Sequence, residues 1–265
     1  RRKQSKPTFR QSTVPMSSAF LDSAAVKLQL AAGEAPSDFF RDRSDPSCIQ
    51  QNKLFCPDWV ADNYDRYVDP TLQHLVLVLA SVGFGFAIAF SLAILAHRHK
   101  WLSSPFLAAT GVLYTIPSIS FFFLLLPLTG RGRTTAIIAL TAFTLQIIFR
   151  NTITGLRNVP TEVTDAALGV GMTRQQMLWR VELPLAMPEI IAGLRIATVS
   201  TVALATLAVF ANGGGLGAEI VSGSNITFKT GIVVAGSIAV IMAIFFDLVL
   251  LVAGKIIAPW RKAAV

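Results

Sequence analysis

Five apolar segments separated by polar spacers constrain this chain more than any other feature of its sequence. A helix needs about 20 apolar residues to cross the hydrocarbon core of a bilayer, where open loops would leave backbone groups unpaired. The segments span residues 72–96, 105–128, 134–149, 190–211 and 230–253. Of 265 residues, 53% are hydrophobic and only 14% are charged, which argues against an ordinary soluble domain. We therefore predict an all-α, polytopic membrane protein with five transmembrane helices.

The apolar segments divide the chain into two parts. Residues 1–70 form a polar tail, in which Asp22 and Lys27 interrupt the longest apolar stretch. Residues 71–265 form the predicted transmembrane domain, with one long polar spacer at 150–189. The net charge of +8 does not indicate a nucleic-acid partner, because the basic residues lie between apolar segments rather than along one face.

The distribution of Lys and Arg predicts the orientation in the membrane, since loops rich in these residues stay cytoplasmic. One side holds Arg98, Lys100, Arg150, Arg157, Arg174, Arg180, Lys255, Arg261 and Lys262. The other side holds Arg131, Arg133 and Lys229, with Lys53 and Arg66 just before the first segment. We predict that the N-terminal tail lies outside the cell and the C-terminus in the cytoplasm.

Cys48 and Cys56 are the two cysteines of the chain, and both fall in the tail that this orientation places outside. An extracellular compartment permits a disulfide, but two cysteines alone are a weak signal. The sequence leaves a disulfide and two free thiols as alternatives.

The spacer 150–189 predicts a helical hairpin on the cytoplasmic side. Residues 160–168 favour a helix, with acidic residues in its early turns, where carboxylates stabilise the positive end of the helix dipole. Gly169 and Gly171 are expected to end this helix, because glycine accepts the backbone angles of a tight helix end.

A second short helix is predicted directly after the glycines. Thr173 and Gln176 form a capping-box pattern that starts it, and Pro184 is expected to end it. A helix, a glycine turn and a short helix together make a shape that fits a groove on another protein.

These residues resemble the EAA signature of ABC importer permeases, in which Glu-Ala-Ala, three residues, Gly, nine residues, Ile, one residue and Leu-Pro follow one another. Every spacing fits, with Asp in place of Glu and Val in place of Ile. The matching positions are Asp165, Ala166, Ala167, Gly171, Val181, Leu183 and Pro184. The resemblance implies a type I ABC importer permease fold in a bacterial cell membrane, with the hairpin docked on a separate ATP-binding subunit.

The resemblance also implies the partners. The sequence has no G-x-x-x-x-G-K-[ST] phosphate loop, so we expect no cofactor on this chain and no enzyme activity of its own, with ATP and Mg²⁺ bound by the ATPase subunit. A second copy or a sister permease would complete the path, and an external solute-binding protein would deliver the solute.

Longer stretches resemble the osmoprotectant branch of these permeases, which takes up glycine betaine, carnitine or choline. Examples are LYTIPSISFFFLLLPLTGRG, IIFRNTITGLRNVP and NGGGLGAEI. A methionine or other amino-acid importer shares several of these stretches and remains an alternative. From the apolar segments alone, a channel or secondary transporter is a further alternative, although such a carrier needs no ATPase dock.

Several residues within or beside the apolar segments are candidates for the solute path. Pro117 removes a backbone hydrogen bond and predicts a kink in the second helix, with Tyr114 and Ser118 beside it. An aromatic face near such a kink suits a quaternary ammonium ion. Asn212, Gly213 and Gly214 follow the fourth segment, where either an outer gate or a plain turn fits.

Arg195 and Asp247 lie inside the fourth and fifth apolar segments, where a charge is costly without a partner or water. A structural ion pair or snorkelling to the interface is the favoured interpretation, and a role in transport is the alternative.

Labelling of single cysteines with a membrane-impermeant thiol reagent tests the predicted orientation. In a chain whose native cysteines are replaced by serine, Ser224→Cys should react in intact cells and Gln175→Cys only after permeabilisation. Reaction of Gln175→Cys but not of Ser224→Cys in intact cells would contradict the orientation.

Overall fold

The structure, a computed structural model, describes residues 50–260, and within that range all regular secondary structure is helical. Residues 1–49, which include most of the predicted tail and Cys48, lie outside the described residues. The helices are α1 Pro57–Asp62, α2 Asp65–Arg98, α3 Lys100–Thr115, α4 Ser118–Thr129, α5 Arg133–Arg157, α6 Thr161–Gly169, α7 Arg174–Ala211, α8 Leu216–Asn225 and α9 Lys229–Ile257.

Four of the described helices, α2, α5, α7 and α9, are long and apolar enough to cross a membrane, and α3 with α4 makes a fifth if the bent pair counts as one span. Each long helix extends past the apolar segment that predicted it, as α2 does by beginning at Asp65. Apolar composition marks the part of a helix that matches hydrocarbon, whereas backbone hydrogen bonding continues beyond it into the polar surroundings.

The bend between α3 and α4 is a complete break of 99° rather than a kink within one helix. Ile116 and Pro117 both have extended ψ angles, 128° in each case, and helical geometry resumes at Ser118. The proline ring disfavours helical geometry in the residue before it, so Ile116 leaves the helix as well.

The apolar core forms where α2, α5 and α7 meet. Leu77, Leu140 and Val202, one from each helix, are at most 1% exposed. Alanines on the same helices, such as Ala89 and Ala139, are fully buried and let the backbones approach closely. Helix α9 keeps many aliphatic side chains exposed along its length, as expected for a helix that faces lipid or a partner.

Helix α8 was not predicted, since the sequence analysis treated residues 212–229 as a loop. Its ten residues include two glycines and no long apolar run, so the sequence carried no span signal. An ion pair from Arg66 to Glu219, with Nε and Oε2 2.6 Å apart, connects the start of α2 to α8. The side chain of Asn52 also accepts a hydrogen bond from the Lys229 backbone N–H at 3.1 Å, next to the start of α9.

Two glycines on α2 provide a matched test of the packing between α2 and α5. A β-carbon on Gly85 would overlap the Thr144 hydroxyl and come within 2.8 Å of Thr144 Cβ, whereas one on Gly83 would meet nothing within 4 Å. Gly85→Ala should therefore cost about 1–3 kcal/mol through overpacking. Gly83→Ala should stabilise the helix by about 0.5–1 kcal/mol. Thermal unfolding of the purified variants in detergent should give a melting temperature below that of the wild type for Gly85→Ala and above it for Gly83→Ala. Equal shifts in the two variants would contradict the close packing of α2 against α5.

Candidate functional site

Helix α6 ends in a turn that depends on Gly171. This residue has φ +82°, a left-handed conformation that favours glycine. The backbone N–H of Met172 donates to the Ala167 carbonyl at 3.1 Å, and that of Gly171 donates to the Leu168 carbonyl at 2.9 Å. These two bonds form a Schellman motif, which pairs carbonyls that the helix end would otherwise leave without partners. The predicted glycine stop is therefore confirmed.

Thr173 starts the next helix through the predicted capping box. Its hydroxyl accepts a hydrogen bond from the Gln176 N–H at 3.3 Å, and its own N–H donates to Gln176 Oε1 at 2.9 Å. Two N–H groups of the helix start are thereby paired. The turn at Gly171 and the cap at Thr173 together set the angle between α6 and α7.

The prediction that Pro184 ends this second helix is wrong. Residues Leu178–Glu182 form a π-helical turn, in which the Leu183 N–H donates to the Leu178 carbonyl five residues back. The wider turn separates the proline ring from the preceding carbonyls, which removes the clash that proline causes inside a regular α-helix. Pro184 then falls in the first turn of the regular helix Leu183–Ala205, where its missing N–H is tolerated. The hairpin is therefore continuous with the membrane-spanning part of α7.

The residues of the predicted hairpin motif divide into buried and exposed positions. Ala167 and Leu183 are each 6% exposed, and Leu183 packs in a cluster with Leu156, Leu178 and Ile190. The other five positions are exposed or partly exposed: Asp165, Ala166, Gly171, Val181 and Pro184. The buried positions thus hold the hairpin against the membrane-spanning helices, and the others leave a surface open.

That surface is apolar in the middle of a polar segment. Leu168 is 48% exposed, Val170 76% and Trp179 53%. Exposed apolar side chains that form a contiguous patch are typical of a site for contact with another protein, whereas single ones are ordinary on a protein surface. We call these three side chains the hairpin apolar patch.

Sequence reasoning missed a polar contact behind the hairpin. Glu182 is 7% exposed, and its Oε2 lies 2.9 Å from Nε2 of His97 near the end of α2. A carboxylate in that position needs a partner, and the imidazole supplies one. A single Glu between Val181 and Leu183 gives no signal in sequence, because only the fold brings His97 to it.

The candidate path residues fall into two groups, one at the break between α3 and α4 and one at the turn after α7. Pro117 and Ser118 form the break that starts α4, and Phe123 of α4 lies 6.2 Å, ring to ring, from Phe210 at the end of α7. Tyr114 is half exposed, with its ring against Phe143 of α5 at 6.3 Å.

The turn after α7 is closely packed against α2. Asn212 has φ +60° and begins the turn, and the Gly215 N–H donates to Gln73 Oε1 at 3.2 Å. A β-carbon on Gly214 would overlap the same Gln73 oxygen, and one on Gly213 would come within 2.8 Å of Ala136 Cβ. Close approach therefore requires glycine at Gly213, and the positive φ of +78° favours it at Gly214.

Arg195 and Asp247 form a bidentate ion pair between α7 and α9. Arg195 Nε lies 2.9 Å from Asp247 Oδ1, and Nη2 lies 2.7 Å from Oδ2. The sequence analysis favoured such a pair, and the structure contains it. The two side chains are 31% and 35% exposed, and both line a cavity of about 630 Å³.

Cys56 is 1% exposed at the start of α1 and does not carry a free thiol. Its predicted partner Cys48 lies outside the described residues, so the Cys48–Cys56 disulfide stays a prediction.

Comparison with known proteins identifies relatives along most of the chain. A family model described as "Binding-protein-dependent transport system inner membrane component" matches residues 81–263. The choline transport system permease protein OpuBB of Bacillus subtilis is 36% identical over 71% of this chain and 87% of its own length. The osmoprotectant import permease protein OsmW of Salmonella typhimurium is 37% identical over 71% of this chain and 90% of its own length.

A solved structure has the same fold. A chain from a structure titled "Inward facing conformations of the MetNI methionine ABC transporter: CY5 SeMet soak crystal form" superposes with a TM-score of 0.65 at 21% sequence identity. The match covers 76% of this chain and 99% of that chain, so the helical arrangement is shared at a level of identity that shows the fold alone.

Proposed function

This chain belongs to the binding-protein-dependent transport system inner membrane components, and on that premise we propose that it forms the path of an ATP-driven importer for osmoprotectants. The choice of solute rests on the names of the proteins that this chain resembles. Proteins 33–37% identical to it are named for transport of choline, glycine betaine or carnitine, or for osmoprotectant import. The methionine transporter structure shares the fold at 21% identity and does not by itself favour an amino acid.

The hairpin supports docking of a separate ATP-binding subunit. The hairpin apolar patch lies beside the exposed Asp165 and Ala166, so a cleft with an apolar floor and a basic or amide rim would complement it. Helices that lie in grooves on partner proteins use apolar side chains on one face in this way. The proposal places residues 150–189 in the cytoplasm and residues 1–70 outside, with α3 and α4 counted as the fifth span.

The continuity of α7 supports a way to transmit movement. A push on the hairpin acts on a helix that runs from Arg174 to Ala211, through the membrane-spanning part and up to the turn at Asn212. Buried contacts at Leu183 and Glu182 hold the base of this helix to α2 and α5. Rocking of the hairpin would thereby move the outer turn, which is the candidate gate.

The remaining parts of the importer follow from the same proposal. A second copy of this chain or a sister permease closes the path, and an external solute-binding protein supplies the solute. The broken span at Pro117 and the exposed ring of Tyr114 provide a bend and an aromatic face for a quaternary ammonium group.

Uptake measurements test the solute class. Cells that lack other uptake systems and produce this chain with its ATPase and solute-binding protein should accumulate labelled glycine betaine, carnitine or choline and should grow better at high osmolarity. Methionine should not compete. Methionine uptake that excess betaine leaves unchanged, with no transport of any quaternary ammonium solute, would overturn the osmoprotectant assignment.

Substitution of two hairpin glycines tests coupling. Gly171→Val places a β-carbon at φ +82°, which costs about 1–2 kcal/mol, and should change the angle between α6 and α7. We expect uptake and co-purification of the ATPase to fall by roughly fivefold or more, since about 1 kcal/mol changes an equilibrium by that factor. Gly169→Val is the matched control, because Gly169 ends α6 without a positive φ and a β-carbon there meets nothing within 4 Å.

A charge reversal on the same surface provides an independent variant. Asp165→Lys should weaken ATPase association without altering any membrane-spanning helix, and Arg131→Ala on the opposite side of the membrane should leave it intact. Full uptake and normal ATPase association in both Gly171→Val and Asp165→Lys would refute the coupling role of the hairpin.

A further inference from the structure

The cavity between α7 and α9 combines two opposite charges with an aliphatic wall. Arg195 and Asp247 bond to each other through two hydrogen bonds, as described above, and the wall around them includes Ile196, Val199 and Ile244. Its volume of about 630 Å³ lies within the range of sites that bind small molecules.

The pair lies one to two turns inside the apolar segments of both spanning helices. Arg195 is about 8 Å along the axis from residue 190, where its apolar segment begins, and Asp247 is about 9 Å from residue 253, where its segment ends. A charge exposed to lipid at such a depth is costly, and ionisable residues within spans almost always face a bundle interior or a water-filled cavity. About a third of each side chain is accessible and both side chains line the cavity, so water or a polar ligand that enters the cavity can reach the pair.

We propose that this cavity binds a zwitterionic quaternary ammonium solute during transit, an inference that rests on the proposed function and adds the residues and the charge type of the solute. The guanidinium of Arg195 takes the carboxylate of the solute, because its planar donors match two carboxylate oxygens. Asp247 faces the quaternary ammonium group, which has no N–H to donate and is attracted by charge alone. The methyl groups of the solute lie against the aliphatic wall.

Charge balance selects a zwitterion over a simple cation. Entry of a zwitterion replaces one ion pair with two, and the cavity stays neutral throughout. A cation such as choline gains Asp247 but meets the positive Arg195, which has then lost its partner. A like charge beside the bound cation is unfavourable even where water reaches the site, so the cation binds less well. The protein's own ion pair fills the site between transport events, which keeps both charges satisfied when no solute is bound.

Three variants of the complete importer, reconstituted with its ATPase and solute-binding protein, test this assignment. Arg195→Gln should lower glycine betaine uptake by roughly tenfold or more, as expected for loss of a charged hydrogen-bonding partner, and should lower choline uptake less. Asp247→Asn should lower uptake of both solutes. The double variant keeps a neutral hydrogen-bonded pair, so it should assemble normally and still fail to transport betaine.

Lys255→Gln, a charge removal on α9 outside the cavity, should leave uptake unchanged. Every variant is assayed with the same solute-binding protein. The selectivity of that protein therefore cancels when the uptake of each solute by a variant is divided by its uptake by the wild type.

Several outcomes would overturn the inference while leaving the proposed function in place. Wild-type uptake of choline without glycine betaine or carnitine would exclude a zwitterion site. An equal loss of both solutes in Arg195→Gln, or recovery of betaine uptake in the double variant, would show a purely structural pair. Loss of permease pairing on co-purification would show that a second chain covers the cavity. Absence of any quaternary ammonium uptake by the wild type would overturn the proposed function together with the inference.

Discussion

The unbroken backbone of α7 is the constraint on which the arrangement of this protein depends. Pro184 would end an ordinary α-helix, yet the π turn Leu178–Glu182 precedes it and the helix continues, so the second arm of the hairpin and the spanning part of α7 form one element. Glu182 is the last residue of that turn, and its buried carboxylate contacts His97. If the helix stopped at Pro184, a displacement of the hairpin would be absorbed by a loop. In the proposed mechanism the continuous helix carries the same displacement to the turn at Asn212, where Gly213 packs against neighbouring residues without room for a side chain.

The local features of the hairpin were predictable from sequence, whereas its connection to the membrane domain was not. A glycine that must adopt positive φ and a Thr with Gln three residues later are signals carried by the residues themselves, and both appear as expected at Gly171 and Thr173. The effect of Pro184 depended on whether the preceding turn could widen, and Leu178 and Leu183, in and beside that turn, pack in one buried cluster with Leu156. Tertiary contacts outweighed the local preference of proline in this case.

The transmembrane helices show the same contrast between features that the sequence predicts and features that depend on packing. Long apolar segments located α2, α5, α7 and α9, because exclusion of charge from hydrocarbon is a property of composition. At Pro117 composition could indicate a bend but not its size, since the 99° angle also depends on how α4 packs against the end of α7. Helix α8 was not predicted, because its own sequence has no long apolar segment. It is short and amphipathic, and it is held by Arg66 and by contacts with α9 rather than by any property visible in its own ten residues.

The pairing of Arg195 with Asp247 could be predicted from sequence, whereas its geometry could not. The cost of an isolated charge within a span makes a partner a sound expectation, and each of these residues is the natural partner of the other. What the sequence does not contain is the geometry: a bidentate contact on an accessible wall, beside aliphatic side chains and a cavity large enough for a small solute. A fully buried pair would serve only to join α7 to α9. A pair that is one-third accessible can also exchange its internal bonds for bonds to a ligand, and only a ligand with both charges can do so without leaving one side chain unpaired.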